Sequence, residues 1–479
     1  MVRTTQRKSR GAGMSEDTES QVSEEPREDE DDAYALNPKA VAAILYAVDI
    51  SDRDQLVELM EPLHAADIAD LLEQIDARDR RALLALWKGG MDGEILSELD
   101  DNLREEIIQS LAPTELAQAV RELESDDVVD LVEYLDEDQQ AAVLDALAAI
   151  DRIAVEKALA YPEESAGRLM QVEVVRAPEH WTVGEAIDFL RRSETLPDQF
   201  YHVMLVDPRM KPVGYVQIGR LLSKSRATPL RDITEESFRT FHVEDDEGAV
   251  AYAFNQYHLI SAPVVDDDDR LVGVITIDDA MNVLDEEHEE DILRLAGVGG
   301  ESELSDSVRE TTRQRLPWLA VNLGTAIIAS LVISIFEETI AGLVALAVLM
   351  PIVASMGGNA GTQSLTVAVR AIATRDLTTS NVWRVIRREV AVGLINGLAF
   401  AVVMGIVGVV WFGSPLLGGV IAVSMVINLV VAGLSGVVVP VVLDRFGVDP
   451  ALASGTFVTT VTDVVGFFAF LGLASVILL

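Results

Sequence analysis

The chain has 479 residues, enough for several domains, with 79 Asp plus Glu against 37 Lys plus Arg and a formal net charge of −42. Only six of the basic residues are Lys, and such a balance argues against nucleic acid as a partner, because phosphate binding needs a basic face. Cys is absent, which excludes disulfides, thiolate metal sites and Cys nucleophiles.

Two readings of the acid excess compete. One is a solvated surface suited to very salty cytoplasm; the other is that some of the carboxylates bind a cation. In chain order, residues 1–35 begin basic and continue "SEDTESQVSEEPREDEDD", which has too little apolar surface to fold and predicts a disordered acidic tail. Met1 and Met14 are both available as initiators, and no secretory signal peptide is expected ahead of the folded body.

Residues 36–150 predict an all-α helical-repeat domain. "DQLVELMEPL", "ADIADLLEQI", "TELAQAVREL" and "DDVVDLVEYL" each set Leu, Ile or Val at helical spacing, and their loose recurrence predicts stacked helix pairs. Asp126 and Asp130 are four apart and share a helix face, where like charges either tolerate solvent or await a cation. Residues 151–285 hold an internal repeat: "VMLVDPRMKPVGYVQIGRLL" at 203–222 lines up with "APVVDDDDRLVGVITIDDAM" at 262–281. Each copy reads as a strand, a polar turn, a second strand and a helix. The pattern resembles a tandem of cystathionine-β-synthase (CBS) modules, α+β regulators that often bind adenine nucleotides, which makes ATP a candidate ligand. Residues 286–316 predict a linker helical in two pieces broken at "GVGG", either a plug on the apolar region beyond it or a passive spacer.

After Arg315 the chain turns apolar. A span needs about 20 mostly apolar residues, and five stretches qualify, at about 317–336, 341–369, 389–412, 416–443 and 451–479. The second and fourth carry Gly, Pro and polar residues that read as interruptions, tolerated only beside protein or a water-filled cavity. Arg309, Arg313 and Arg315, the Arg residues of 370–388, and Arg445 all fall on one side of this five-helix domain. That asymmetry predicts a multi-pass cell-membrane protein with a cytoplasmic N-terminus and an outside C-terminus.

Polar groups inside the spans are the candidates for function. "PIVASMGGNAGTQSLTVAVRA" brings Gly357, Gly358, Asn359, Gly361, Thr362, Gln363 and Ser364 to membrane depth, either to pack helices or to wall a pathway. Asp463 stands in "TTVTDVVG" with no basic residue in any span core to pair with it. Intramembrane carboxylates are costly and mark ion or proton paths. With Thr459, Thr460 and Thr462 on the preceding turns, a hard cation suits Asp463 better than an anion, and a proton carrier is the competing reading.

"GGNAGTQS", "GVDPA" and "TTVTDVVG", downstream of a helical domain and a CBS pair, together resemble the MgtE family of magnesium channels, over about residues 39–479. The resemblance implies a non-enzymatic homodimer in which Asp463 lines the pore and binds hydrated Mg²⁺, with Gly358, Asn359, Gly361, Gln363 and Thr459 beside it. Carried over by motif, Asp126, Asp130, Asp279, Glu287, Glu290, Asp291 and Asp449 become cytosolic Mg²⁺ sensors that gate uptake. Mn²⁺ and Co²⁺ are further candidate ions. "SGTFVTT" replaces an Asn-Pro pair of some relatives, which leaves the surroundings of the pore ion open. The alternative function is a divalent cation–proton exchanger with nucleotide-sensing CBS modules.

Overall fold

A computed structural model describes residues 36–298 and 308–478, apart from 134, 136, 194, 195, 198, 236 and 237. The tail expected at 1–35 and linker residues 299–307 lie outside the described residues. Residues 36–99 make a compact unit of five helices: α1 Pro38–Asp49, α2 Arg53–Met60, α3 Ala65–Gln74, α4 Ala77–Leu86 and α5 Gly93–Ser97. Asn37, Asp52, Asp76 and Asp92 each accept from a backbone N–H two or three residues on, so part of the acid excess serves helix capping. Leu56, Met60, Leu71, Leu72 and Leu83 form its buried interior.

The second unit starts at Asp100. Its first helices are α6 Asp101–Ser110, α7 Pro113–Ala119, α8 Ser125–Glu133, α9 Glu137–Ala146, α10 Ala149–Ala158 and α11 Ala166–Leu169. The repeat comes next. In the first copy, β1 Arg176–Pro178 precedes α12 Val183–Arg192, β2 His202–Val206, β3 Pro212–Gln217 and α13 Ile218–Ser223. In the second, β4 Phe241–His242 precedes α14 Glu247–Tyr257, β5 Ser261–Val265, β6 Leu271–Thr276 and α15 Ile277–Leu295. Each three-stranded sheet pairs its first strand parallel and its third antiparallel to the second, with a bulge at Leu205/Val206 and again at Val264/Val265. The tight turns also match: Met210 (φ 66°) and Asp269 (φ 59°) hold the left-handed backbone at equivalent places. Met204, Val206, Leu271 and Val274 pack together between the copies.

Among the described residues five helices are long and apolar enough to cross a membrane: α16 Val308–Ser334, α18 Ala345–Ala373, α19 Val382–Phe412, α20 Pro415–Arg445 and α21 Pro450–Ile477, with short α17 Glu337–Gly342 after the first. The expected interruptions are absent: α18 runs unbroken through Pro351 and "GGNAGTQS", and α20 through Pro440. Small residues allow close approach instead of breaking the helix. Gly393, Gly397, Ala401 and Gly408 form one buried stripe on α19, against which α20 packs backbone to backbone. The end of the linker and the first span are likewise one helix, α16. The bundle core lies among α18–α21, around Leu349, Val353, Met425, Leu429, Phe470 and Leu471.

His202 and Ser261 open the two central strands and meet across the pseudo-two-fold, His202 Nδ1 lying 2.5 Å from Ser261 Oγ. The Tyr215 ring stands edge-on to the imidazole, 4.3 Å between centroids. Burial pushes the His202 pKa down to about 4, below its ordinary 6.5, so the fold holds it neutral. A depressed His pKa means that its contribution is intact above about pH 6.5 and is lost as pH falls toward 4. Thermal unfolding of the purified protein followed between pH 7 and pH 4.5 should show a falling midpoint for the repeat. In His202→Gln that fall should be shallower; an unchanged slope contradicts the assignment.

Candidate functional site

Glu124 and Ser125, at the start of α8, and the segment before β1 are stitched together. Ser125 Oγ donates to Glu173 Oε2 (2.7 Å) and accepts from Val172 N (2.9 Å), while Gln171 Nε2 donates to Glu124 Oε2 (2.5 Å). Gln171 also exchanges both backbone hydrogen bonds with Val274 of β6 at 2.9 Å. Since β6 leads straight into α15, this stitching sets the acids of α8 against the first turn of α15.

The result is a boundary of carboxylates. Burial pushes Glu124 up to about 7, with the Glu173 charge next in effect. Asp127 also rises to about 7, first through burial and then through Asp279. Asp126 is driven well above the usual carboxylate range by burial, then by Asp279 and Asp127. Asp279 itself rises to about 6 through burial, although it caps α15 through the Thr276 hydroxyl and backbone N–H, which oppose the shift. One basic group enters from α6: Arg104 Nη1 pairs with Asp130 Oδ2 at 2.9 Å.

Of the seven sensor candidates, Asp126, Asp130 and Asp279 are therefore brought to one boundary. Glu124 and Asp127, which sequence reasoning passed over, join them, and the doubled "SDD" opening of α8 was the available signal. Among the described residues no three acidic or His side chains converge tightly enough to grip a bare ion. Facing carboxylates at looser spacing fit Mg²⁺ that keeps its water, the usual state of that ion on proteins.

The other four candidates lie at the far end of α15. Asp449 caps α21 through Ala451 N (2.7 Å), and its second oxygen takes Arg294 Nη1 at 3.1 Å. Arg294 Nη2 reaches Glu290 Oε2 at 2.7 Å, so an arginine bridges two of the residues expected to act as sensors. Arg294 was missed, although its place one turn after Glu290 marks an i,i+4 pair. Burial and the Asp449 charge raise the Asp291 pKa. Glu287 instead lies over Gly248 at the start of α14. Next to Arg294, Leu295 packs with Leu365, Val369, Ala451 and Val458 of the membrane bundle.

Inside the bundle Asp463 is half-buried in the middle of α21. Thr459 and Thr460 stand one turn before it with their hydroxyls donating back to their own helix, and Thr456 donates to Asn322 Oδ1 of α16 at 2.8 Å. Thr462 is fully buried. Gly358 faces Thr459, Asn359 and Gln363 are exposed, but Gly361 is buried against Val458 and Thr462. Gly361 is thus a packing contact between α18 and α21. Two further polar residues were not foreseen. Asn428 is buried between Gly357 and Gly466 and donates to Val353 O (2.7 Å); Glu389, near the start of α19, accepts from Ser364 Oγ (2.9 Å). Asp463 is thus not the only carboxylate on a membrane-spanning helix. The cleft beside His202 and Ser261 has a free volume of about 20 Å³, against roughly 300 Å³ for a typical ligand pocket.

These features define a multi-pass membrane protein whose CBS pair is joined to its membrane bundle by one acidic helix. The MgtE family model, a divalent cation transporter, matches residues 350–473; the MgtE intracellular N domain matches 63–164 and the CBS domain 230–286. The Magnesium transporter MgtE of Thermus thermophilus is 32% identical over 453 residues, 92% of this chain and 99% of that protein. The one from Bacillus subtilis is 28% identical over 417 residues, 87% of this chain and 92% of that one. A solved cytosolic domain of the Mg²⁺ channel MgtE in complex with ATP is 28% identical, with a TM-score of 0.48, covering 51% of this chain and all of that one. The chain belongs to the MgtE family.

The packing of α18 on α20 is open to test at Gly436. A Cβ there would lie 2.7 Å from the Ser364 Cβ and 2.8 Å from the Gly361 carbonyl oxygen. Gly436→Ala should therefore destabilise the bundle by about 1–3 kcal/mol, read as a lower melting temperature in detergent. A midpoint equal to the parent's would contradict this packing.

Proposed function

We propose that the chain carries Mg²⁺ through a homodimeric pore in the cell membrane, with the N-terminus cytoplasmic and the C-terminus outside, and that cytosolic Mg²⁺ closes it. The observation that carries the reading is the double engagement of α15. Its first turn faces the acids of α8, and its last turn grips the start of α21, the helix of Asp463. Nineteen residues at ~1.5 Å each make a rod about 28 Å long. A charge event at one end is felt at the other.

The pore site is Asp463, two copies of which on a dimer axis would hold an ion that keeps most of its water. Threonine oxygens one turn below suit water ligands. α16 packs on α21 and leaves Leu319, Leu323, Ile327 and Leu331 exposed, apolar surface for lipid or a second subunit. Without Mg²⁺ the carboxylates of the α8–α15 boundary repel. Two unit charges about 8 Å apart cost roughly 2 kcal/mol at an effective dielectric near 20. Mg²⁺ between them reverses the sign, seats α15 and closes the mouth of the pore. The transported ion thereby limits its own entry.

Asp463→Asn should lower Mg²⁺ uptake into proteoliposomes at least about tenfold, ~1.4 kcal/mol in the barrier, while the dimer still assembles. Parental uptake by a correctly inserted mutant sinks the pore assignment. The same vesicles with an imposed pH gradient and the membrane potential clamped decide against exchange: a channel's flux follows the electrochemical gradient of Mg²⁺ and ignores the pH gradient, whereas a proton exchanger's responds to it.

The sensor is tested separately. Asp127→Asn with Asp279→Asn removes both the repulsion and the ligands, so its flux should lose its dependence on internal Mg²⁺ and be the same at micromolar as at the millimolar levels that close the parent. If the double mutant closes normally, these acids are solvated surface and the sensor lies elsewhere.

A further inference from the structure

Resting on that gating reading, we propose that Tyr252 and Arg375 form a latch by which the second CBS module acts directly on α18, in parallel with the grip of α15 on α21. Tyr252 lies on α14. Its hydroxyl donates to the carbonyl oxygen of Thr374, the residue that ends α18, at 3.3 Å. The next residue, Arg375, lays its guanidinium over the same ring, with Cζ 4.5 Å from the centroid. Arg375 also holds φ 55°, left-handed for a residue with a side chain, which turns it back toward the ring.

The segment that Tyr252 grips is stiff. Thr374 Oγ1 donates to Asp376 (3.0 Å), Asn381 Nδ2 donates to Asp376 O (2.7 Å), and Thr378 N donates to Asn381 Oδ1 (2.9 Å). The turn from α18 to α19 therefore moves as one piece with α18, and α18 carries Gly358, which faces Thr459. On the other side, α14 packs along α15, and Glu287 of α15 lies over Gly248 in the first turn of α14. A shift of the sensor helix therefore carries α14 with it. Span two and span five are held by the same module, through Tyr252 and through Arg294.

The test uses the full chain in proteoliposomes and reads two quantities, the internal Mg²⁺ that halves flux and the Mg²⁺ that protects the soluble domains from protease. Tyr252→Ala removes both contacts and should raise the closing concentration by roughly tenfold, within the usual range of coupling between sites, while protection moves far less. Tyr252→Phe keeps the ring under Arg375 and should shift closure only slightly; Arg375→Gln should behave like Tyr252→Ala, and Arg375→Lys should restore near-parental closure. Closure unchanged in Tyr252→Ala overturns the latch. So does a shift of closure and protection by the same factor, which would mean that Tyr252 only supports the module's fold. A parent that Mg²⁺ does not close overturns the gating reading itself, and is recognised in the unmutated protein.

Discussion

Like-charge repulsion across the boundary of α8 and α15 is the constraint on which the arrangement depends. Glu124, Asp126, Asp127 and Asp279 are held together at a cost: burial first, and then neighbouring carboxylate charges, raise the pKa of each. Hydrogen bonds from Ser125, Gln171 and Thr276 hold the geometry, yet they leave most of the charge uncompensated. A boundary of this kind is stable only with protons or cations between the two faces. Salt screens the exposed members more than the buried ones, so a high-salt cytoplasm would weaken the outer repulsions and leave the inner ones.

The other end of α15 is built in the opposite way. There Arg294 is already a cation between Glu290 and Asp449, and Leu295 adds an apolar contact with the bundle. The helix is therefore anchored at the membrane end by the chain's own charge, while its α8 end faces carboxylates. In the proposed gating, that asymmetry makes the α8 boundary the variable element. The contact of Tyr252 with Thr374 adds a second anchor, on α18.

Much of this was legible in the sequence because strong periodicities have few alternatives. Twenty or more apolar residues in a row can only be spans, and a 59-residue offset between two strand-turn-strand units can only be a repeat. Asp463 stood out because nothing nearby could neutralise it. Less legible were the roles that depend on which helices meet. The glycines of α18 looked like breaks, but each is where a neighbouring helix closes in, as Gly361 meets Val458 and Gly357 meets Asn428. Asp449 and Asp279 read as metal ligands, and both are also helix caps, a role that spacing alone does not separate from binding. Asp127 was hidden by its neighbours: in a chain with 79 acids, the ones that face each other are known only once the fold brings α8 to α15.

The chain's lack of Cys permits a direct measurement of that boundary. Spin labels on Ile153→Cys of α10, which packs against α8, and Asn282→Cys of α15 both sit at exposed positions. Their separation can be measured by pulsed electron resonance in reconstituted membranes as Mg²⁺ is raised from micromolar to millimolar. The account predicts one short, narrow distance with Mg²⁺ and a longer, broader distribution without it, the change tracking closure of the pore. A distance that stays the same while flux shuts off would contradict it.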